Sequence, residues 1–487
     1  MTGAPLLTLL VLCPLAGLAA ILVIPGRSPR AIKVAAAVTG LAALALAAAV
    51  LARFEAHAAG YQMVDRVRWI PAVGIEWHTG VDGISLSLVA LTAIVFLTGV
   101  LVMWELEHRV KEFFAFMALL VTGVFGVFVS LDLFFFVFFY EVAVLPMYLL
   151  IAVWGSTRKE YGAMKLTMYL LVGSALSVPA ALAVYWAAGL GSFDIERLAH
   201  VAYDRDFQIV VYPLLFVGFG ILAGMWPLHT WSPVGHVAAP TAVSMLHAGV
   251  LMKLGAYGIL RVGMQILPEG AQYWAHATAA LATVNIVYGA FVALAQTDLK
   301  FIIGFSSVSH MGIVLLGLST LSVDGVNGAV FQMFSHGVMT ALFFAAVGYI
   351  YDRYHTREIP RLGGLSQSVP VASAFFIVAA LCGAGVPGFA SFWAELLVFL
   401  GTLRTYPLLA AVVVVALTVT LAYSIRAVVL GFFGEPREAH PRVDDIGPFL
   451  ALPRALLVGV LLVLGFYPRL ILDVIDPATR AVVGAFR

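Results

Sequence analysis

Charge is what this sequence has least of: Lys and Arg number 27, Asp and Glu 26, and together they make up 11% of 487 residues. Cysteine is scarcer still. Cys13 and Cys382 both lie within apolar segments, and two isolated cysteines make neither a disulfide framework nor a thiolate metal site. A net charge of +1 and the absence of a basic cluster argue against nucleic acid as a partner. The first apolar segment has no basic flank before it and no small-residue cleavage site after it, so it reads as a retained helix rather than a signal peptide. No soluble domain is expected, because the longest connection between apolar runs, residues 53–82, is only a short extramembrane cap.

What fills the sequence is apolar residues: 62% are hydrophobic and the mean hydropathy is +1.02. At about 20 apolar residues per bilayer crossing, the chain reads as an all-α polytopic membrane protein. The predicted spans are 5–25, 31–52, 83–104, 112–130, 132–154, 164–188, 209–230, 240–263, 273–296, 301–320, 326–350, 370–403, 408–432 and 452–473, fourteen in all. Odd-numbered connections, Arg437 and Arg442 among them, carry sixteen basic residues, against ten in the even-numbered connections and the tail that ends at Arg487. That bias predicts odd connections in the cytoplasm and both termini on the outer side of a bacterial-type inner membrane.

Two spans are interrupted. The seventh breaks at 225-MWPLHTWSPVGHVAAP-240, where Pro227, Pro233 and Pro240 remove backbone donors, and the twelfth at 383-GAGVPGFASFWAE-395, around Pro387. Irregular backbone at membrane depth persists only where protein covers it or where it lines a wet cavity. Two such breaks five helices apart predict two inverted five-helix repeats, with discontinuous helices 7 and 12. The division is then N-terminal helices and an external loop over 1–111, a first repeat over 112–263, a second over 273–432, and a C-terminal helix and tail over 452–487.

Against this apolar background the titratable residues stand out. Glu141 sits in the run 134-FFFVFFYEVAVLPMY-148, His247 and Lys253 in span eight, His310 in span ten, His336 in span eleven, and Glu395 just past the break in span twelve. A charge at the centre of a spanning helix costs at least about 2.5–3.5 kcal/mol on insertion scales. Six at one depth therefore point to proton transfer rather than to six separately satisfied side chains.

The residues also resemble a known family, the antiporter-like membrane subunits of respiratory complex I (NADH-quinone oxidoreductase), subunit M or mitochondrial chain 4 type. The resemblance covers nearly the whole chain. It is carried by 81-VDGISL-86, 139-FYEVAVLPMYLLI-151, 226-WPLHTWSPVGHVAAPTA-242, 249-GVLMKLGAYGILR-261, 296-QTDLKFIIGFSSVSHMG-312, 334-FSHG-337 and 387-PGFASFWAE-395. It implies a proton-translocating subunit with no cofactor of its own, with quinone, flavin and iron–sulfur clusters in other subunits. The implied partners are neighbouring membrane-arm subunits, peripheral redox subunits and the lipid bilayer. In the family's pattern Glu141 is the span-five glutamate, Lys253 the central lysine and Glu395 the span-twelve glutamate. His310 and His336 match histidines of its hydrophilic axis, and Lys300 and Lys165 fall on its basic positions. Ending at 487, the sequence leaves no room for the long lateral helix of the related L type.

One position departs from that pattern. The family's broken seventh helix places a lysine seven residues before the histidine that here is His229, and this sequence has Leu222 there. Three expectations stand side by side: His247 substitutes as the titratable partner of Glu141; Lys165 or Lys253 reaches it instead; or the first half-channel is inactive and the subunit acts as a scaffold. A multi-subunit cation/proton antiporter shares the fourteen-span plan and is the alternative function.

Overall fold

A computed structural model describes residues 5–58, 60–436 and 443–486. Arg437, Arg442 and Arg487, counted above among the loop cations, lie outside the described residues. The chain opens with α1 (Leu6–Val23) and α2 (Pro29–Arg53), followed by an antiparallel hairpin, β1 (Gln62–Ile70) and β2 (Ile75–Val81). Next come α3 (Gly83–Val102), α4 (Val110–Val129), α5 (Leu133–Trp154), α6 (Lys159–Ala188), the short α7 (Ile195–Ala199), α8 (Arg205–Leu222) and α9 (Trp231–Ala238). Span eight runs without a gap over Thr241–Met264 as α10 (Thr241–Leu246), a wide π turn at His247–Leu251, α11 (Met252–Gly258) and a second wide turn at Ile259–Met264. The remainder is α12 (Pro268–Ala295), α13 (Leu299–Ser319), α14 (Val323–Tyr354), the short α15 (Leu365–Ser368), α16 (Pro370–Gly383), α17 (Ala390–Thr405), α18 (Pro407–Phe432), α19 (Pro448–Phe466) and α20 (Arg469–Gly484).

Among the described residues thirteen helices are long and apolar enough to cross a membrane. The predicted twelfth span is the exception, because it is divided into α16 and α17, of 14 and 16 residues. Aspartate sets where several helices begin. Asp82, Asp132 and Asp298 are the N-caps of α3, α5 and α13, each accepting from backbone N–H groups of the first turn that have no helical partner.

The two predicted breaks are present, and they are alike. After α8, Met225 N–H bonds Gly220 O and Gly224 turns left-handed at φ 78°; after α16, Val386 N–H bonds Leu381 O and Gly385 does the same at φ 67°. Glycine accepts that conformation without the steric cost a Cβ brings. The seventh break is shorter than predicted, since helix resumes at Trp231. Pro233 sits in the first turn of α9, where an N–H would have no helical acceptor anyway.

Two features differ from the sequence reading. The 53–82 cap holds a β-hairpin rather than loop alone, and the predicted fourteenth span stops at Phe466, with α20 folding back onto α3 and α14. Span eight and α14 form the interior of the bundle: the most apolar stretch of each is wholly buried. They meet backbone to backbone. A Cβ on Gly337 would lie 2.6 Å from Gly249 O, and one on Gly249 3.1 Å from Gly337 O.

Candidate functional site

The wide turn at His247–Leu251 spaces its backbone for i→i+5 bonds rather than i→i+4, and the carbonyl of Ala248 is bonded by the ammonium of Lys253. Lys253 is fully buried. The same Nζ lies 2.7 Å from Nδ1 of His336 on α14. Two positive groups cannot share so short a contact in an apolar interior, so the pair holds one bonding proton, with His336 Nδ1 accepting from the ammonium or donating to a neutral amine.

The file continues through His310 of α13, whose ring centroid is 5.3 Å from that of His336. His310 Nδ1 is 2.8 Å from Ser306 O, and Nε2 is 3.1 Å from Gly383 O and 3.5 Å from Glu395 Oε1. Carbonyls only accept, so both backbone contacts are hydrogen bonds only when both ring nitrogens carry protons. Gly383 O is free for this role because α16 ends there. Glu395, on α17, is buried beside Nε2 of His310. Tyr423 of α18 donates to Ser306 Oγ at 2.8 Å and braces the histidine from behind. Lys253, His336, His310 and Glu395 thus line up across four spans, with ring contact rather than a hydrogen bond between the two histidines.

A second group lies at the other end of span eight. His247, on the wide turn, has its ring 4.1 Å from His236 and 5.0 Å from Trp231, both on α9. All four ring nitrogens of the two histidines are buried and lack a hydrogen-bond partner among the described residues. Lys300, in the first turn of α13, donates to Ala239 O at 2.8 Å, just behind the ion pair of Asp298 with Arg357, Nε to Oδ2 at 2.5 Å. His229 is buried at the edge of Tyr288, ring centroids 4.9 Å apart, in the seventh break with Pro227; Pro387 lies in the twelfth.

Glu141 stands apart from both groups. On α5, its Oε1 accepts from the hydroxyl of Ser174 on α6, and it makes no ion pair among the described residues. None of the expected cations meets it. Lys253 is committed to Ala248 and His336, Lys165 lies 5.8 Å over the ring of Tyr161, and His247 packs against Trp231 and His236. Leu222, where the lysine was expected, is the buried last residue of α8, and the backbone there touches α11 so closely that a Cβ on Gly255 would lie 2.4 Å from Phe219 O.

Sequence reading missed Ser174, His236 and the pair of Asp82 with Arg261. Arg261 was counted as a loop cation but is buried in the second wide turn of span eight. His236 lies within the quoted 226–242 motif, and only the fold shows that the break turns it toward His247. Among the described residues no group of three or more His, Cys, Asp or Glu is arranged to hold a metal ion.

A bundle with thirteen candidate spans among the described residues, a divided helix at α16 and α17, and a buried row of lysine, histidine and carboxylate defines an antiporter-like membrane protein. The chain belongs to the family described as NADH:quinone oxidoreductase/Mrp antiporter, TM, whose model matches residues 130–420. It is 36% identical to NAD(P)H-quinone oxidoreductase chain 4 2 of Thermosynechococcus vestitus, over 98% of this chain and 92% of that one. It is also 36% identical to chain 4 1 of Synechococcus elongatus, over 98% and 91%. A chain of respiratory complex I from Thermus thermophilus with bound NADH superposes with a TM-score of 0.91 at 26% identity, covering 99% of this chain and all of that one. A chain of the Mrp complex from Dietzia shares the fold at TM-score 0.87 and 22% identity, over 99% and 100%.

Proposed function

We propose that this chain is a proton-translocating membrane-arm subunit of a complex I-type NADH-quinone oxidoreductase, with flavin, iron–sulfur clusters and quinone held by other subunits. The observation that carries the reading is the file from Lys253 through His336 and His310 to Glu395. Each member both accepts and donates a proton, and burial makes every change of charge felt by the next. Lys300 is the proposed loading residue from the face of the odd connections, with His247 and His236 leading to Lys253. Glu141, bonded to a neutral hydroxyl, and Lys165 are placed at the edge of the route. The curated relatives carrying the quinone oxidoreductase name favour this over cation antiport.

The division into inverted repeats over 112–263 and 273–432 is part of the proposal. It is supported by the matching glycine-terminated ends of α8 and α16. So is the orientation with both termini outside.

The test is Lys253→Met in membranes that hold the assembled complex, with quinone reduction and proton pumping measured together. Loss of proton transfer at Lys253 removes a step worth on the order of 10²–10⁴ in rate, so protons pumped per electron are expected to fall sharply. Unchanged pumping with a fully assembled complex would reject the reading, and sodium-dependent antiport in its place would establish the antiporter alternative.

A further inference from the structure

Span eight carries a second buried cation that the central file does not use. Arg261 stands eight residues beyond Lys253, about 12 Å along the helix at 1.5 Å per residue, and is 2% exposed. It forms an ion pair with Asp82 Oδ1, and its guanidinium lies 5.5 Å from the ring of Tyr61 and 5.2 Å from that of Tyr257. Nη1 donates to Gln265 at 3.4 Å, while Nε has no partner among the described residues.

Holding α3 in place does not account for this pair. Asp82 already caps α3, accepting from Ser85 N–H at 2.9 Å, and a buried ion pair often stabilises a fold no more than well-packed apolar side chains of the same size. The pair instead floors a cavity of about 280 Å³, walled by His57, Tyr61, Glu196, His200 and one side of α20. All of these walls come from even-numbered connections or the C-terminal helix, so the cavity opens on the face opposite Lys300. Tyr257 lies midway, one turn past Lys253 and one turn before Arg261 on the same helix, with its hydroxyl 3.2 Å from Phe128 O.

We propose that Asp82, paired with Arg261, is the site from which protons leaving Lys253 are released into this cavity. The proton leaving the Lys253 ammonium is carried by intervening water past the Tyr257 hydroxyl, which donates to Phe128 O, to the Asp82 carboxylate. Asp82, now neutral, loosens from Arg261, gives the proton to cavity water and pairs again. Arg261 stays charged throughout and no electron moves. This rests on the proton-transfer reading of Lys253.

Asp82→Asn keeps the capping oxygen and removes the titratable carboxylate, and Asp82→Glu restores it. In membranes with the assembled complex, Asp82→Asn is expected to lower protons pumped per electron to the level of Lys253→Met, and Asp82→Glu to recover most of it. With Cys13 and Cys382 changed to serine, a cysteine at Ala478 in the cavity wall is expected to react with a membrane-impermeant maleimide from the outer side. If Lys253→Met abolishes pumping and Asp82→Asn leaves it normal, the release site is overturned and the function stands. If both leave it normal, the function itself falls. Should Asp82→Asn block assembly, Tyr257→Phe decides, because it keeps the ring on Arg261 and removes the hydroxyl: slowed pumping supports the route and normal pumping overturns it. Labelling of Ala478→Cys only from the cytoplasmic side also overturns it.

Discussion

At the scale of single residues, the contrast between Lys253 and Glu141 organises the site. Lys253 is enclosed by a carbonyl and an imidazole and forms no ion pair among the described residues, so on the proposed reading its proton passes to the imidazole. Glu141 has one neutral donor, Ser174, and that donor suits glutamine nearly as well as glutamate. Glu141→Gln is therefore expected to slow pumping by less than about 10-fold, against the on-the-order-of 100-fold or greater loss for Lys253→Met. Donor-driven proton uptake by vesicles of the two variants checks it, and equal losses would place Glu141 on the required route. Both residues were legible in the sequence, because a charge inside an apolar run is visible without a structure. Their partners were not: Ser174 and His336 lie 33 and 83 residues away from them, and no periodicity links such positions.

At the scale of helices, glycine decides how closely the elements meet. The Cβ of Gly255→Ala would press on Phe219 O and on Ala223 N, at 2.4 and 2.5 Å, both backbone atoms of the α8 terminus. The two elements would have to separate, costing about 1–3 kcal/mol, and a lower thermal midpoint of the assembled protein is the expected reading. That contact also gives the setting of Leu222, an aliphatic side chain at a backbone junction with little space.

Asp132, outside the spans, offers a pH test of the hairpin's attachment to α5. Burial pushes it from 3.8 up to about 6, against the opposing pull of backbone N–H bonds from Glu76, Phe135 and Phe134. An acid whose pKa is raised by folding binds its proton more tightly folded than unfolded, so stability from this group is greatest below about pH 4 and is lost as pH rises through 6. Wild type should gain stability relative to Asp132→Asn as pH falls across that window. A difference constant with pH between 7 and 4 contradicts this. Nearby His78, which burial lowers and Asp194 at 3.5 Å raises, titrates in both proteins and cancels in the comparison.

Apolar length and proline gave away the spans and the breaks. The hairpin was hidden because no residue of β1 is buried and its exposed apolar residues Val64, Val67, Trp69 and Ile70 do not alternate strictly with polar ones. The helix α20 was merged with the fourteenth span, its first apolar residues continuing that run across the turn at Tyr467. Arg261 lies inside the predicted span 240–263 yet was tallied with the even-numbered connections as a charge near a span end; the second wide turn keeps it buried within the helix.

At the scale of the whole molecule, the two cavities bounded by buried Asp–Arg pairs face opposite ways. Asp298 with Arg357 lines one on the side of the odd connections, and Asp82 with Arg261 lines the other. In each the aspartate is the N-cap of a spanning helix, so the helix end, the ion pair and the solvent cavity coincide. Fourteen crossings and the loop-charge bias read from the sequence predict that the termini lie together on the outer side. Cysteines placed singly at Pro5 and Ala485, both exposed, in a background without Cys13 and Cys382, are expected to be labelled alike by impermeant reagents, and from the outer face. Opposite behaviour of the two would require an odd number of crossings.

The approach of Gly249 to Gly337 has a consequence for how work passes through the molecule. The two interior helices touch backbone to backbone within one residue of Ala248 and His336, the groups that hold Lys253. Neither helix can slide or tilt toward the other there, so a stroke of the kind that drives a lever has no room. On the proposed function, what remains free to change is where positive charge resides along a rigid, poorly screened line, and the coordinate that would link this chain to its neighbours is electrical displacement across a fixed frame.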